Sequence, residues 1–269
     1  MNQTFNIHRF TLSLQLELAE KGKTYFFTAL LLLSLLGMLM LPLAFSKEYS
    51  NMKELAQILA LFMIILFGSS LYSISAFSQY GDSSTGIAAI MVPASRTEKF
   101  LSALVLNLIF VIPFAFAYWK LHYWSVEYAN AHIPANAHKY NALPEPVIRY
   151  ALQYYFMIHA FVFLGSLYFT KASYLKTAAT FIASFLFIAL LHLGIGNLLT
   201  GFPSKLVSFP ITGWDIWFWP DGTAAGPKST QFYQVKLPET VHTFIQIFPA
   251  IIVFALWSAT YFRLREKEI

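Results

Sequence analysis

The sequence predicts an all-α polytopic membrane protein with six transmembrane helices, and three observations carry that expectation. Of 269 residues, 57% are hydrophobic and only 12% charged, where a soluble domain carries roughly a quarter charged residues. Mean hydropathy is +0.57. The apolar residues also gather into six runs, each near the roughly 20 residues a helix needs to cross a hydrocarbon core. Lipid offers the backbone no hydrogen-bonding partner, so such runs must be helices rather than open strands.

In chain order, the spans are expected at about 25–45, 55–77, 101–121, 151–170, 177–199 and 241–262. The first is too long for a secretory h-region and follows a segment with Glu17 and Glu20, so it reads as a retained span. Residues 1–24 precede it. Leu12, Leu14, Leu16 and Leu18 alternate there with polar residues, a strand pattern, yet Ile7, Phe10, Leu14 and Leu18 make a helical stripe. A lone strand has no sheet to join, so an amphipathic helix lying at the interface is expected. Pro113 and Pro249 fall inside spans three and six, where neighbouring helices can cover the carbonyls they free. The spans leave outer loops at 122–150 and 200–240 and a tail at 263–269.

Six spans place both ends on one side. Ten of the eighteen Lys and Arg accompany those ends and the two loops beside them, among them "KASYLK" and "RLREKEI". The positive-inside bias therefore predicts cytoplasmic termini. The same scattered distribution, without any run of five or six basic residues, argues against nucleic acid as a partner and for membrane lipid. Cysteine is absent, which removes disulfides and thiolate metal sites.

Several motifs need weighing. Gly22-Lys23-Thr24 resembles the end of a phosphate loop, but Glu17 stands where the first glycine belongs and a span follows, so no nucleotide site is expected. His122, His132 and His138 lack a legible ligand set, and no metal or cofactor is assigned to the chain. No GxSxG or HExxH pattern occurs, so the chain is not expected to be an enzyme. His159 and His192, within spans four and five, either hydrogen-bond inside the bundle or mark a polar path. Ser69 and Ser73, near Gly68 and Ala76 at the end of span two, either allow close helix packing or line such a path or a dimer seam. Trp214, Trp217 and Trp219 in "ITGWDIWFW" suit the headgroup zone, as an aromatic belt or a re-entrant hairpin.

The charged interruption between spans two and three is the most informative stretch. In "GDSSTGIAAIMVPASRTEKF", Pro93 suits a first helical turn, and Ser95 with Glu98 has capping-box spacing. A short helix bearing Arg96, Glu98 and Lys99, continuous with span three, is expected to face a soluble partner. With Gly86 and the Val92-Pro93-Ala94-Ser95-Arg96 element, this segment resembles the cytoplasmic loop of ABC-transporter permeases of the type-2 exporter class. Where members often carry an acidic-glycine element such as "EREKGT", this chain has "SQYGDSST".

The resemblance implies a permease subunit that moves a substrate across or out of a bacterial inner (cytoplasmic) membrane. A separate cytoplasmic ATPase would supply ATP and Mg chemistry, and a second permease subunit would complete the pathway. Pro93, Ser95, Arg96, Glu98 and Lys99 would be the coupling contact with that ATPase. The competing expectations are a non-transporting scaffold subunit of an envelope complex, or an intramembrane enzyme built on His159 or His192.

Overall fold

The computed structural model describes residues 4–80, 83–200, 204–208, 211, 215–218, 233–234 and 238–267. Six of its helices are long and apolar enough to cross a membrane. The first, α1 (Ile7–Ala44), begins where the Asn6 side chain accepts hydrogen bonds from the backbone of His8 and Arg9. It runs unbroken for 38 residues, about 57 Å at 1.5 Å per residue. The helical expectation for residues 1–24 therefore holds only in part: from Ile7 the chain is helical, but continuous with span one rather than a separate surface helix. The reason is packing. Ser13, Glu17, Lys21, Tyr25, Leu32, Leu36, Met40 and Leu43 are all buried, a stripe at helical spacing that passes the 24–25 boundary without losing register.

Span two is irregular. It comprises α2 (Asn51–Met63), a π-helical turn at Ile64–Gly68 and a short α3 (Ser70–Ser73). A 3₁₀ turn at Ser78–Tyr80 and the nine-residue α4 (Ser83–Met91) follow. The π turn falls where a bulky neighbour crosses: a Cβ on Gly68 would lie 2.8 Å from Phe114 and 2.9 Å from Tyr155. Only glycine fits there.

Span three, α5 (Arg96–His132), starts at the capping box expected from sequence. The Glu98 backbone N–H donates to Ser95 Oγ at 3.3 Å, and the Ser95 N–H donates to Glu98 Oε2 at 2.7 Å. Pro113 does not interrupt it, and it continues eleven residues beyond the expected end at 121. Loop 122–150 is accordingly mostly helix, with a shorter connection before α6 (Glu145–Tyr168). The remaining spans are α7 (Ser173–Thr200) and α8 (Glu239–Lys267).

The connection 200–240 contains strands the sequence did not suggest. β1 (Ser204–Ser208), β2 (Asp215–Phe218) and β3 (Tyr233–Gln234) pair antiparallel in that order. Trp217 lies in β2 opposite Leu206 and Gln234. Trp214 and Trp219 lie outside the described residues.

Helices α1 and α5 run parallel, joined from Asn6–Glu98 through Ser13–Ser102 and Tyr25–Asn107 to the cluster of Leu43 with Val126 and Ala129. Span two and α6 close the core around Ile64, Tyr72, Phe114, Tyr118 and Tyr155. By contrast α7 stands at the edge. Only 6% of its most apolar stretch is buried, against 61% for α6. It packs closely against α6 where Gly165 meets Thr177.

Candidate functional site

At one end of the bundle, the start of α1, residues 77–80 and 83–95, the α6–α7 turn and the end of α8 come together. Lys267 Nζ donates to the Tyr80 carbonyl at 3.2 Å, Thr97 and Tyr261 share a hydrogen bond at 3.3 Å, and Leu264 packs with Phe77 and Phe100. The Arg263 guanidinium lies 4.9 Å from the Tyr168 ring. These are the segments that the basic-residue bias groups on one side.

Within this end, the residues expected to contact a partner divide into two sets. Pro93 is exposed and Arg96 half-buried, whereas Ser95, Glu98 and Lys99 are buried. Glu98 has no exposed surface, because it is occupied internally. Its Oε1 accepts from the Asn6 backbone at 2.6 Å and from Arg9 at 3.1 Å, while Oε2 closes the capping box. Lys99 Nζ donates to the Ile90 carbonyl at 3.2 Å, at the end of α4. So Glu98 and Lys99 face inward, clasping α1 and α4 to α5.

The helix bearing Arg96, Glu98 and Lys99 is the start of α5 itself, and a further short helix, α4, precedes Pro93. Pro93, Ala94 and Ser95 form an elbow between α4 and α5. Proline restricts the residue before it and cannot donate, which ends α4 there. Beside the elbow two large apolar side chains are exposed, Met91 at 76% and Ile87 at 61%.

A second clasp holds α1 to the end of span two. Lys21 Nζ donates to Glu17 Oε2 at 3.2 Å, the Ala76 carbonyl at 2.5 Å and Gln79 Oε1 at 2.7 Å. All three ammonium protons are thereby used, which is what makes a buried lysine tolerable. Neither clasp was foreseen. The i, i+4 spacing of Glu17 and Lys21 was the available signal.

Halfway along the bundle, Ser73 and His159 converge on a residue the sequence reading passed over, Asn107. Its Oδ1 accepts from Ser73 Oγ at 3.2 Å and from His159 Nε2 at 3.0 Å. Its Nδ2 donates to Tyr25 OH at 3.2 Å and to the Tyr72 carbonyl at 2.9 Å. That amide donation to a backbone carbonyl fixes the Asn107 orientation, so His159 carries its proton on Nε2 in this arrangement. Ser69 Oγ donates to the Tyr155 carbonyl at 2.9 Å. Ser69, Ser73 and His159 thus bind helices to one another, and His192 is buried as well. His122 accepts from the Leu143 backbone, His132 meets the Tyr128 carbonyl, and His138 packs edge-on to Tyr49. Among the described residues no three His or acidic side chains gather into a metal-holding group.

Compared with known protein families, with curated proteins and with solved structures, the chain matches none. The geometry at the two clasps and at the exposed elbow therefore carries the functional argument. Glu98 is its centre. Replacing Glu98 with alanine should destabilise the protein by about 2–3 kcal/mol, combining a lost cap with buried donors left unpaired. Thermal unfolding in mild detergent checks this, and Arg9→Ala should add little once Glu98 is gone.

Proposed function

We propose that this chain is the permease subunit of an ATP-driven exporter-type transporter, moving a substrate across or out of the membrane. The observation that carries the reading is the exposed α4–elbow surface, rigidly continuous with a transmembrane helix. A load applied to Met91, Pro93 or Arg96 passes through the capping box into α5, and through Glu98 into α1. Such a rigid connection is what rigid-body coupling needs. The chain's lack of a phosphate loop supports an ATPase in a separate cytoplasmic subunit, and the poorly covered α7 supports a second membrane subunit. In this reading the end holding the elbow is cytoplasmic and the membrane is the bacterial inner one.

The coupling contact is accordingly revised. Pro93 and Arg96 remain as contact residues, joined by Ile87 and Met91. Ser95, Glu98 and Lys99 transmit rather than touch.

The test uses Ile87→Glu/Met91→Glu and, separately, Arg96→Glu. These side chains are at least partly exposed, so the fold should persist. Each variant should lose most of a copurifying phosphate-loop ATPase, by about tenfold for a loss of 1–2 kcal/mol. Undiminished copurification and turnover would refute the reading. If wild type itself brings down no such ATPase, the non-transporting scaffold replaces it.

A further inference from the structure

At the end of the bundle away from the elbow, the start of α2 and the connection before α6 border a cleft of about 340 Å³. That is the size of a small-ligand site. Leu55, Ile58, Leu143 and Pro144 make its walls largely apolar.

Gln57 gives the cleft its character. The side chain lines it and is only 1% exposed, yet neither its amide nitrogen nor its amide oxygen meets a partner among the described residues. Native structures rarely keep a buried amide in that condition. This chain otherwise follows the rule: the amides of Asn107 and Asn130 bond through both their nitrogen and their oxygen. More unused capacity lies behind Leu143. Its backbone N–H donates to His122 Nε2, so the ring carries its proton on Nδ1, which finds no acceptor among the described residues. The Tyr118 ring packs 6.0 Å from that of His122, and its buried hydroxyl is unpartnered too.

Charge does not select the occupant. Glu54 is the one ionisable residue on the cleft wall, and it accepts from Tyr49 OH. In the flanking stretches 47–54 and 139–145, Lys47, Lys53 and Lys139 balance Glu48, Glu54 and Glu145. An anion would find no cation on the wall, and a cation only a carboxylate already engaged. Water alone fits poorly, because each buried water wants about two to four polar partners and the apolar walls supply none from their side chains. A hydroxyl both donates and accepts, which matches the paired N–H and C=O of a carboxamide. Asn51 and Asn141, exposed on the cleft wall, offer two more such groups.

We infer that this cleft binds an uncharged, hydroxyl-bearing ligand of the glycerol or sugar type, its hydroxyls on the carboxamides and its carbon frame against the apolar walls. The source is a lipid headgroup or a free molecule. Leu55 and Ile58 on the cleft wall are 52% and 40% exposed, so a lipid's chains have a path to the bilayer. The site uses none of the elbow residues and does not depend on the permease reading.

The chain has no cysteine, so Ala142→Cys, exposed on the cleft wall, serves as a single reporter of occupancy. N-ethylmaleimide labelling of the full chain is timed in phosphatidylcholine nanodiscs, with methyl glucoside in solution or a glucosyl diacylglycerol in the bilayer. At least one probe should slow labelling about fivefold once the site is about four-fifths occupied. Slowing by methyl glucoside assigns a free ligand, and slowing by the glycolipid alone assigns a headgroup. Adding Gln57→Leu should abolish the protection and leave thermal unfolding unchanged or raised, since it removes an amide without a partner. A lowered unfolding temperature would show that Gln57 is held by the fold, and overturns the inference. So does labelling that neither probe slows, slowing that survives Gln57→Leu, or equal slowing by the charged probes glucose phosphate and phosphatidylglycerol.

Discussion

Gly165→Val should release α7 from the bundle. A Cβ at position 165 would sit 2.1 Å from Thr177 Oγ1 and 2.9 Å from Thr177 Cβ, closer than real carbon contacts permit. Neither atom is the end of a long flexible chain. Thr177 is buried and its hydroxyl donates to the Ser173 carbonyl at 2.7 Å, while Ser173 Oγ donates to the Gly165 carbonyl at 3.0 Å. The contact is thus fixed from both sides, as small residues fix close crossings in membranes. Overpacking costs typically about 1–3 kcal/mol. Here the cost is concentrated on a helix with little other support, so α7 should move away rather than the core adjust. Trypsin cleavage at Lys171 in the preceding turn, or at Lys176 in the first turn of α7, should rise at least tenfold as a result. Adding Thr177→Ala removes the two closest atoms and should restore part of the protection. Unchanged cleavage in Gly165→Val would show that α7 does not pack against α6 in this way.

Asn107→Leu should cost about 1–3 kcal/mol, read from thermal unfolding in detergent. The volume is nearly conserved, so the loss comes from polar groups. Ser73 Oγ keeps the Ser69 carbonyl as its acceptor at 2.9 Å, and the Tyr72 carbonyl keeps Ser75 Oγ at 3.1 Å. The cost therefore centres on His159, whose Nε2–H loses its acceptor while its Nδ1 has no partner among the described residues. The double variant Asn107→Leu/His159→Phe should be less destabilised than the two single costs added, since removing both partners leaves fewer orphans. Strict additivity would show that the two residues are not coupled.

How much of this was legible in the sequence depends on the kind of signal. Long apolar runs are unambiguous, so all six spans were readable. So was the start of α5, because capping chemistry is local: Ser95 and Glu98 need only each other and the intervening turn. What that local signal could not say is where the carboxylate's second oxygen goes. Glu98 looked like a surface charge, and only the approach of Asn6 and Arg9 from ninety residues away makes it internal. Asn107 was invisible for a related reason, since one amide within "LVLNLIFV" disturbs neither hydropathy nor periodicity. In residues 7–24 the alternating leucines obscured a stripe that only the α5 surface selects. The strands of the outer loop are two to five residues long, too short for a pattern to develop.

The far end of the α1–α5 pair is tied as firmly as the near one. Tyr140 OH bonds Ser46 Oγ, the Ser50 backbone and the Glu48 carbonyl, while Asn130 brackets the Tyr140 backbone from α5. Two rods pinned to one another at both tips cannot slide or scissor; they can only tilt as a single stave. In the proposed permease, any opening that lets a molecule through falls away from this pair, on the side where α7 is thinly held. Labels reporting distance between α1 and α5 should stay constant through the proposed transport cycle, while those between α6 and α7 should change.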